Sequence, residues 1–166
     1  MIELLTENFA AVLNWPLGKE LLVILVSMLP FIELRGAIPL AIALGLSPLR
    51  AFLVAYCGSI IPVPIILIFL QRVFDIMRRF KIFRPLVSWL EARGEKRKDK
   101  VERLQYGALL LFAALPLPGT GTWCSSLVAS VFDMKKKPAF LMISLGTFIC
   151  AIIMLLTSLG VKWLLG

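Results

Sequence analysis

Histidine is absent from all 166 residues, which excludes histidine-centred catalysis and leaves any proton-coupled step to carboxylates. Charge is scarce as well. Only 17% of residues are charged against 60% hydrophobic, with a mean hydropathy of +0.92. That composition excludes an ordinary soluble domain and predicts a multi-spanning membrane protein, a single membrane domain over residues 1–166. The three cysteines, Cys57, Cys124 and Cys150, are widely spaced among apolar neighbours. No disulfide framework or metal site is expected from them, and each reads as a small buried hydrophobe. No basic leader stands before an apolar core at the start, where Glu3 and Glu7 precede the first basic residue, Lys19, so a cleavable signal peptide is not expected. The formal net charge of +8 is not a nucleic-acid signal: the basic residues lie mostly in loops between apolar runs, without zinc spacing or a ribonucleoprotein motif. A Gly-Lys-Ser/Thr phosphate loop is missing too, and no cofactor is expected.

What is present is a series of apolar runs, two of them too long and broken near their middles. Leu21 to Leu49 as one helix would reach about 44 Å at roughly 1.5 Å per residue, against a hydrocarbon core of about 30 Å. It carries Glu33 and Arg35 at membrane depth, together with Pro30, Gly36 and Pro39, so a break into two half-helices is expected between Leu29 and Pro39. A re-entrant hairpin, entering and leaving by the same face, satisfies length and break together. Gly107 to Phe132 repeats the pattern, broken by Pro116, Pro118, Gly119 and Gly121, with the next half-helix expected to begin near Thr122. Ala51 to Leu70, bent by Pro62 and Pro64, and Ala139 to Leu159 are uncharged and of crossing length. Ile2 to Leu13 has the pattern of an interfacial helix, and Leu86 to Leu104 is expected to be helical.

The loop from Gln71 to Gln105 holds eleven Lys or Arg against five acids, which predicts that residues 71–105 are cytoplasmic in a multi-pass protein of a prokaryotic plasma membrane. Leu29-Pro30 recurs as Leu115-Pro116, Ala51-Phe52 as Ala139-Phe140 and Gly58 as Gly146, with offsets of 86, 88 and 88. The expected fold is therefore all-α, an inverted-topology repeat in which each half is a surface helix, a re-entrant helical hairpin and one transmembrane helix. Repeat one spans 1–70, a basic linker 71–85 and repeat two 86–166. Total loop charge barely separates hairpins from four plain spans. The run Lys135, Lys136, Lys137 does, because only hairpins keep it on the cytoplasmic side.

Ionisable residues at membrane depth cost about 2.5–3.5 kcal/mol each even on the lenient insertion scale, and they usually mark function. Glu33 is read as the coupling group, its charged form disfavoured by burial and favoured by Arg35. Arg35, with Gly36 beside it, is read as the partner of a phosphate or carboxylate. In the second motif, Pro116, Pro118, Gly119, Thr120, Gly121 and Thr122 lead into a half-helix whose N-terminal N–H groups suit an anion. Gly119 and Gly121 allow close backbone approach, and Ser125 and Ser126 add hydroxyls. Structural roles stay open beside these: mutual neutralisation of Glu33 and Arg35, chain turning by the prolines and glycines, and capping by the hydroxyls.

The motifs ELRGAIP (Glu33 to Pro39) and PLPGTGTW (Pro116 to Trp123), in this order and in a chain of this length, resemble the small multidrug export protein family over nearly the whole sequence. The architecture also resembles the wider DedA-type (VTT/SNARE-associated) superfamily, with shorter halves and a single intramembrane arginine. That resemblance implies paired hairpins facing each other across the membrane, and a role in moving lipids such as undecaprenyl phosphate between leaflets. The function expected is a small secondary transporter or flippase for an amphiphilic anion such as a polyisoprenyl phosphate, coupled to protons or sodium. The alternatives are an exporter of cationic lipophilic drugs and a non-transporting membrane assembly protein. Enzymatic activity is not expected, for lack of histidine, paired aspartates or a serine–base dyad. Membrane lipids and a second copy of the chain are the expected partners, and nucleic acid is not.

Overall fold

The computed structural model describes residues 17–79, 98–117 and 119–165. The interfacial helix expected over 2–13, residues 80–97 of the basic loop and Pro118 lie outside the described residues. The described residues are all-α: α1 Gly18–Met28, α2 Glu33–Ala43, α3 Pro48–Ile60, α4 Pro62–Arg79, α5 Lys98–Ala114, α6 Thr122–Val131 and α7 Lys136–Leu165. Two stretches are long and apolar enough to cross a membrane, Pro48–Leu70 and Lys136–Leu164. At roughly 1.5 Å per residue they measure about 35 and 44 Å, consistent with a multi-pass membrane protein. The break between α3 and α4 falls at Ile61, where Pro62 starts the next helix and removes a backbone donor.

The chain divides into two compact units. The first holds α1, α2, α3 and α7 from Cys150 onward; the second holds α4, α5, α6 and α7 up to Ile149. In the first unit α1 packs on α2 and α3, and α2 packs on α3. Buried Leu34, Ala37, Ile38, Ala41 and Ile42 repeat at the three- and four-residue spacing that makes one helical face. Gly58 lets α3 approach α1 so closely that an added Cβ would stand 1.9 Å from Ser27 Oγ and 2.9 Å from the Ile24 carbonyl. Ser27 Oγ donates to Ile24 O (2.7 Å) and Ser59 Oγ to Ser27 O (3.3 Å), so the buried hydroxyls at this contact are satisfied. Lys19 Nζ at the start of α1 donates to Leu44 O at the end of α2 (2.8 Å), which brings both open ends of this helical hairpin together.

The expected break was too wide. It is confined to residues 29–32, and Gly36 and Pro39 lie inside α2. Proline there removes one helical donor, the one to the Arg35 carbonyl, and the helix continues past it. A Cβ at Gly36 would meet Ile32 Cγ2 at 2.3 Å, so this glycine makes room for a side chain of the preceding turn.

In the second unit α6 packs on α4 and α5, around a core of Val63, Leu67, Leu109, Ala129, Met134, Ala139 and Ile143. Gly146 of α7 sits against α5, where an added Cβ would lie 2.4 Å from Leu110 O and 2.7 Å from Ala113 Cβ. The offset of 88 seen in the sequence reappears in the backbone. The α2 end has Leu46 N–H to Ala41 O (3.0 Å) and Gly45 N–H to Ile42 O (3.1 Å). Met134 N–H to Ala129 O (2.9 Å) and Asp133 N–H to Ser130 O (3.2 Å) repeat this at the α6 end. Both are Schellman closures, and their left-handed residues are Gly45 (φ 81°) and Asp133 (φ 50°). Large apolar side chains such as Leu25, Leu53, Ile65, Phe69, Leu141, Leu145 and Leu156 are exposed, while Ser27, Ser59, Ser126, Ser130 and Thr147 are buried. That distribution, apolar outside with small and polar residues at helix contacts, suits lipid as the solvent. Cys57 departs from expectation: it is exposed, because α3 turns Ala51, Ala55, Gly58 and Ser59 inward. Cys150 is buried as expected, and Cys124 is half-buried.

Candidate functional site

Each unit carries a polar feature where its second hairpin helix begins. In the first, the turn over residues 29–32 closes with Glu33 N–H to Leu29 O (3.0 Å) and Gly36 N–H to Ile32 O (3.1 Å), and α2 starts at Glu33. Glu33 is 2% exposed with φ at +47°, in the left-handed region that a residue with a Cβ enters at a cost of about 1–2 kcal/mol. The position 88 residues later is Gly121, with φ at +115°. Both halves therefore have a positive φ at this point, and only the second uses the residue that adopts it freely. A carboxylate in the first turn of a helix is favoured by the macrodipole. Arg35, half-buried, follows on the same turn.

Cys150, fully buried in the second part of α7, belongs to this cluster: its thiol stands near enough to the Arg35 side chain and to Glu33 to interact with both. No sequence signal marked it. Glu33 and Arg35 are 117 and 115 residues away in the chain, and only the packing of α7 on the first unit joins them.

In the second unit, Pro116 and Gly119 are exposed in the turn before α6. Gly119 has φ at +84°, a conformation that favours glycine, and nothing within 4 Å of an added Cβ. Thr120 Oγ1 lies 2.8 Å from both Leu115 O and Leu117 O, which engages its hydroxyl in closing the turn. Gly121 N–H donates to Phe112 O (3.2 Å), tying the turn to α5. Gly121 then serves as N-cap of α6 and, having no side chain, supplies no side-chain cap to its first turn. Thr122, Ser125, Ser126 and Ser130 are all buried on one face of α6. Ser126 Oγ donates to Thr122 O (2.6 Å) and Ser130 Oγ to Ser126 O (2.8 Å). Among the described residues no group of three or more His, Cys, Asp or Glu could hold a metal ion.

Residues 33–153, well over half of the sequence, match the family described as "Putative small multi-drug export protein". The chain belongs to this family. The match starts at Glu33 itself and takes in Arg35, both broken motifs and Cys150. No curated protein and no solved structure gives a significant match. Family membership and the membrane-length helices give this small multi-drug export family member a general transport role at the membrane, for a small molecule or lipid. The family is transport-associated and not catalytic.

Proposed function

We propose that the chain is a small secondary transporter or flippase for an amphiphilic anion, with a polyisoprenyl phosphate as the type substrate and Glu33 as the coupling group. The observation that carries this reading is the Glu33 backbone. A buried carboxylate is held at a positive φ where the equivalent position of the other unit has glycine. Strain and burial together are tolerated at sites that need a particular group, and here the group is titratable. Glu33 exchanges a proton or Na⁺. Arg35 offers a planar fork suited to phosphate, with Gly36 beside it. On the second unit Pro116, Gly119, Thr120 and Gly121 lead to the N-terminus of α6 at Thr122, a second anion receptor to whose sequence motif Pro118 also belongs.

Several features support hairpins that enter and leave by one face. Helices of 10 or 11 residues reach only about 15–16 Å, half the hydrocarbon thickness. The Lys19 to Leu44 bond joins the two open ends of the first hairpin. At the second hairpin's exit stand Lys135, Lys136 and Lys137, where the equivalent positions of the first are Ser47, Pro48 and Leu49. Basic residues favour the cytoplasmic face, so the two hairpins enter from opposite faces and residues 71–105 are cytoplasmic.

The test is movement of a fluorescent polyisoprenyl phosphate between leaflets of proteoliposomes, read by quenching from outside. The parent protein is expected to accelerate it, Arg35→Gln to slow it at least tenfold, and Glu33→Gln to remove its dependence on a proton or Na⁺ gradient. Transport no faster than in empty liposomes overturns the anion reading. Glu33-dependent export of cationic lipophilic dyes instead would establish the drug-export alternative.

A further inference from the structure

The same buried face of the second hairpin helix has opposite chemistry in the two units. α2 buries Leu34, Ala37, Ile38, Ala41 and Ile42, and 88 residues later α6 buries Thr122, Ser125, Ser126, Ala129 and Ser130. Close packing alone does not call for hydroxyls, since α2 manages with aliphatic side chains at the equivalent positions. Two of the α6 hydroxyls are accounted for by bonds to the carbonyl four residues back, from Ser126 and Ser130. The other two are not. Thr122 Oγ1 and Ser125 Oγ are buried without a hydrogen-bond partner among the described residues, in side chains 1% and 0% exposed. Buried hydroxyls are rarely left so, and such groups call for a water or a ligand to complete them.

Thr122 and Ser125 are three residues apart, on one face, and helical side chains lean toward the N-terminus. Both hydroxyls therefore converge on the first turn of α6, whose N–H groups have no side-chain cap at Gly121. Donors and the positive end of the helix dipole select an anion. Its charge follows from what is missing. The dipole supplies roughly half an elementary charge, and no Lys or Arg is buried among the described residues of this unit. A doubly charged ion has nothing here to offset its desolvation.

We infer that the first turn of α6 binds one singly charged anion through Thr122 Oγ1, Ser125 Oγ and the positive end of the helix dipole. The inference rests on reading the α6 N-terminus as an anion receptor, and narrows that reading to two hydroxyls and one unit of charge. The ligand is a free halide or the monoanionic headgroup of a lipid phosphate; the shared chemistry is a single negative charge that accepts hydrogen bonds.

The experiment uses the purified full chain in neutral detergent. Chloride binding is read by chloride NMR line broadening, and the thermal midpoint is compared in chloride, gluconate and sulfate at equal ionic strength. Chloride is expected to broaden and to raise the midpoint, and sulfate to do neither. Thr122→Val and Ser125→Ala each weaken chloride binding about tenfold, as for a lost hydrogen bond to a charged group. Ser125→Ala introduces the residue that α2 carries at Ala37, so it folds. At about pH 5, where the phosphate headgroup is singly charged, chloride displaced by added polyisoprenyl phosphate, or retained beside it, upholds the site in either case and distinguishes headgroup from free-ion occupancy. Chloride indistinguishable from gluconate, or binding undiminished in Thr122→Val and Ser125→Ala, overturns the inference. Failure of lipid transport with chloride binding intact removes the cargo and leaves the site.

Discussion

Four helical glycines offer an internally controlled measurement of how the chain packs. An alanine Cβ at Gly146 would stand 2.4 Å from Leu110 O, 2.7 Å from Ala113 Cβ and 3.2 Å from Ala114 N. Two of these three atoms are backbone, so no rotamer change relieves them and α5 and α7 must separate. A gap of about 0.5–1 Å forfeits a quarter to a half of the dispersion well for each neighbouring contact. Overpacking of this kind costs about 1–3 kcal/mol, from which alanine's helix preference over glycine returns up to ~1 kcal/mol. At Gly58 the nearest atom, 1.9 Å away, is Ser27 Oγ, which can rotate aside by giving up its bond to Ile24 O. The Ile24 carbonyl at 2.9 Å cannot. Gly107 and Gly160 have nothing within 4 Å of an added Cβ, so there the helix preference acts alone. The expected order of thermal midpoints is Gly146→Ala lowest, by about 2 kcal/mol or roughly 4–8 °C, then Gly58→Ala, then the parent, with Gly107→Ala and Gly160→Ala at or above it. A fluorogenic maleimide suits the assay in a background with Cys57 and Cys124 replaced by serine, because buried Cys150 then reports unfolding of the core. Gly146→Ala as stable as Gly107→Ala would refute the close approach of α7 to α5.

Two further outcomes are expected. Glu33→Gly and Glu33→Ala both remove the carboxylate and differ in their tolerance of φ +47°, so glycine is expected to be the more stable by about 1–2 kcal/mol, reversing the usual helical order in chemical or thermal unfolding. Equal stability would mean that Glu33 carries no backbone strain. For topology, Ser47→Cys and Lys136→Cys in cells should be labelled from opposite sides by an impermeant maleimide, Lys136→Cys from the cytoplasm, whereas labelling of both from one side would end the inverted arrangement.

Much of the helical framework was legible because prolines and glycines act locally. Pro62 fixes a break by lacking a donor, and the Gly119 to Gly121 turn sets the start of α6 at Thr122, where the sequence placed it. The same reasoning overreached at Gly36 and Pro39, which lie inside α2, since a single lost donor does not end a helix packed against neighbours on two sides. Cys57 was misread for a related reason: an apolar flank says nothing about which face of α3 a residue occupies. Cys150 beside Arg35 was not legible at all, because the partners are 115 residues apart in the chain.

Comparison of the two halves separates scaffold from chemistry more sharply than either half alone. Closures at Gly45 and Asp133, positive φ at Glu33 and Gly121, and close approaches at Gly58 and Gly146 recur at the offset of 88. These are therefore requirements of the scaffold and carry no information about cargo. What differs at equivalent positions is free of that requirement. The first half places a carboxylate and a guanidinium where the second has Gly121 and Trp123, and the second places Thr122 and Ser125 where the first has Leu34 and Ala37. Each half thus departs from the common plan in a different direction, one toward fixed charge and one toward neutral hydrogen-bond donors. A symmetric packing role predicts neither departure. Chemistry at α2 and α6 is best sought in the residues that break the repeat: a buried carboxylate in the first half, buried hydroxyls in the second.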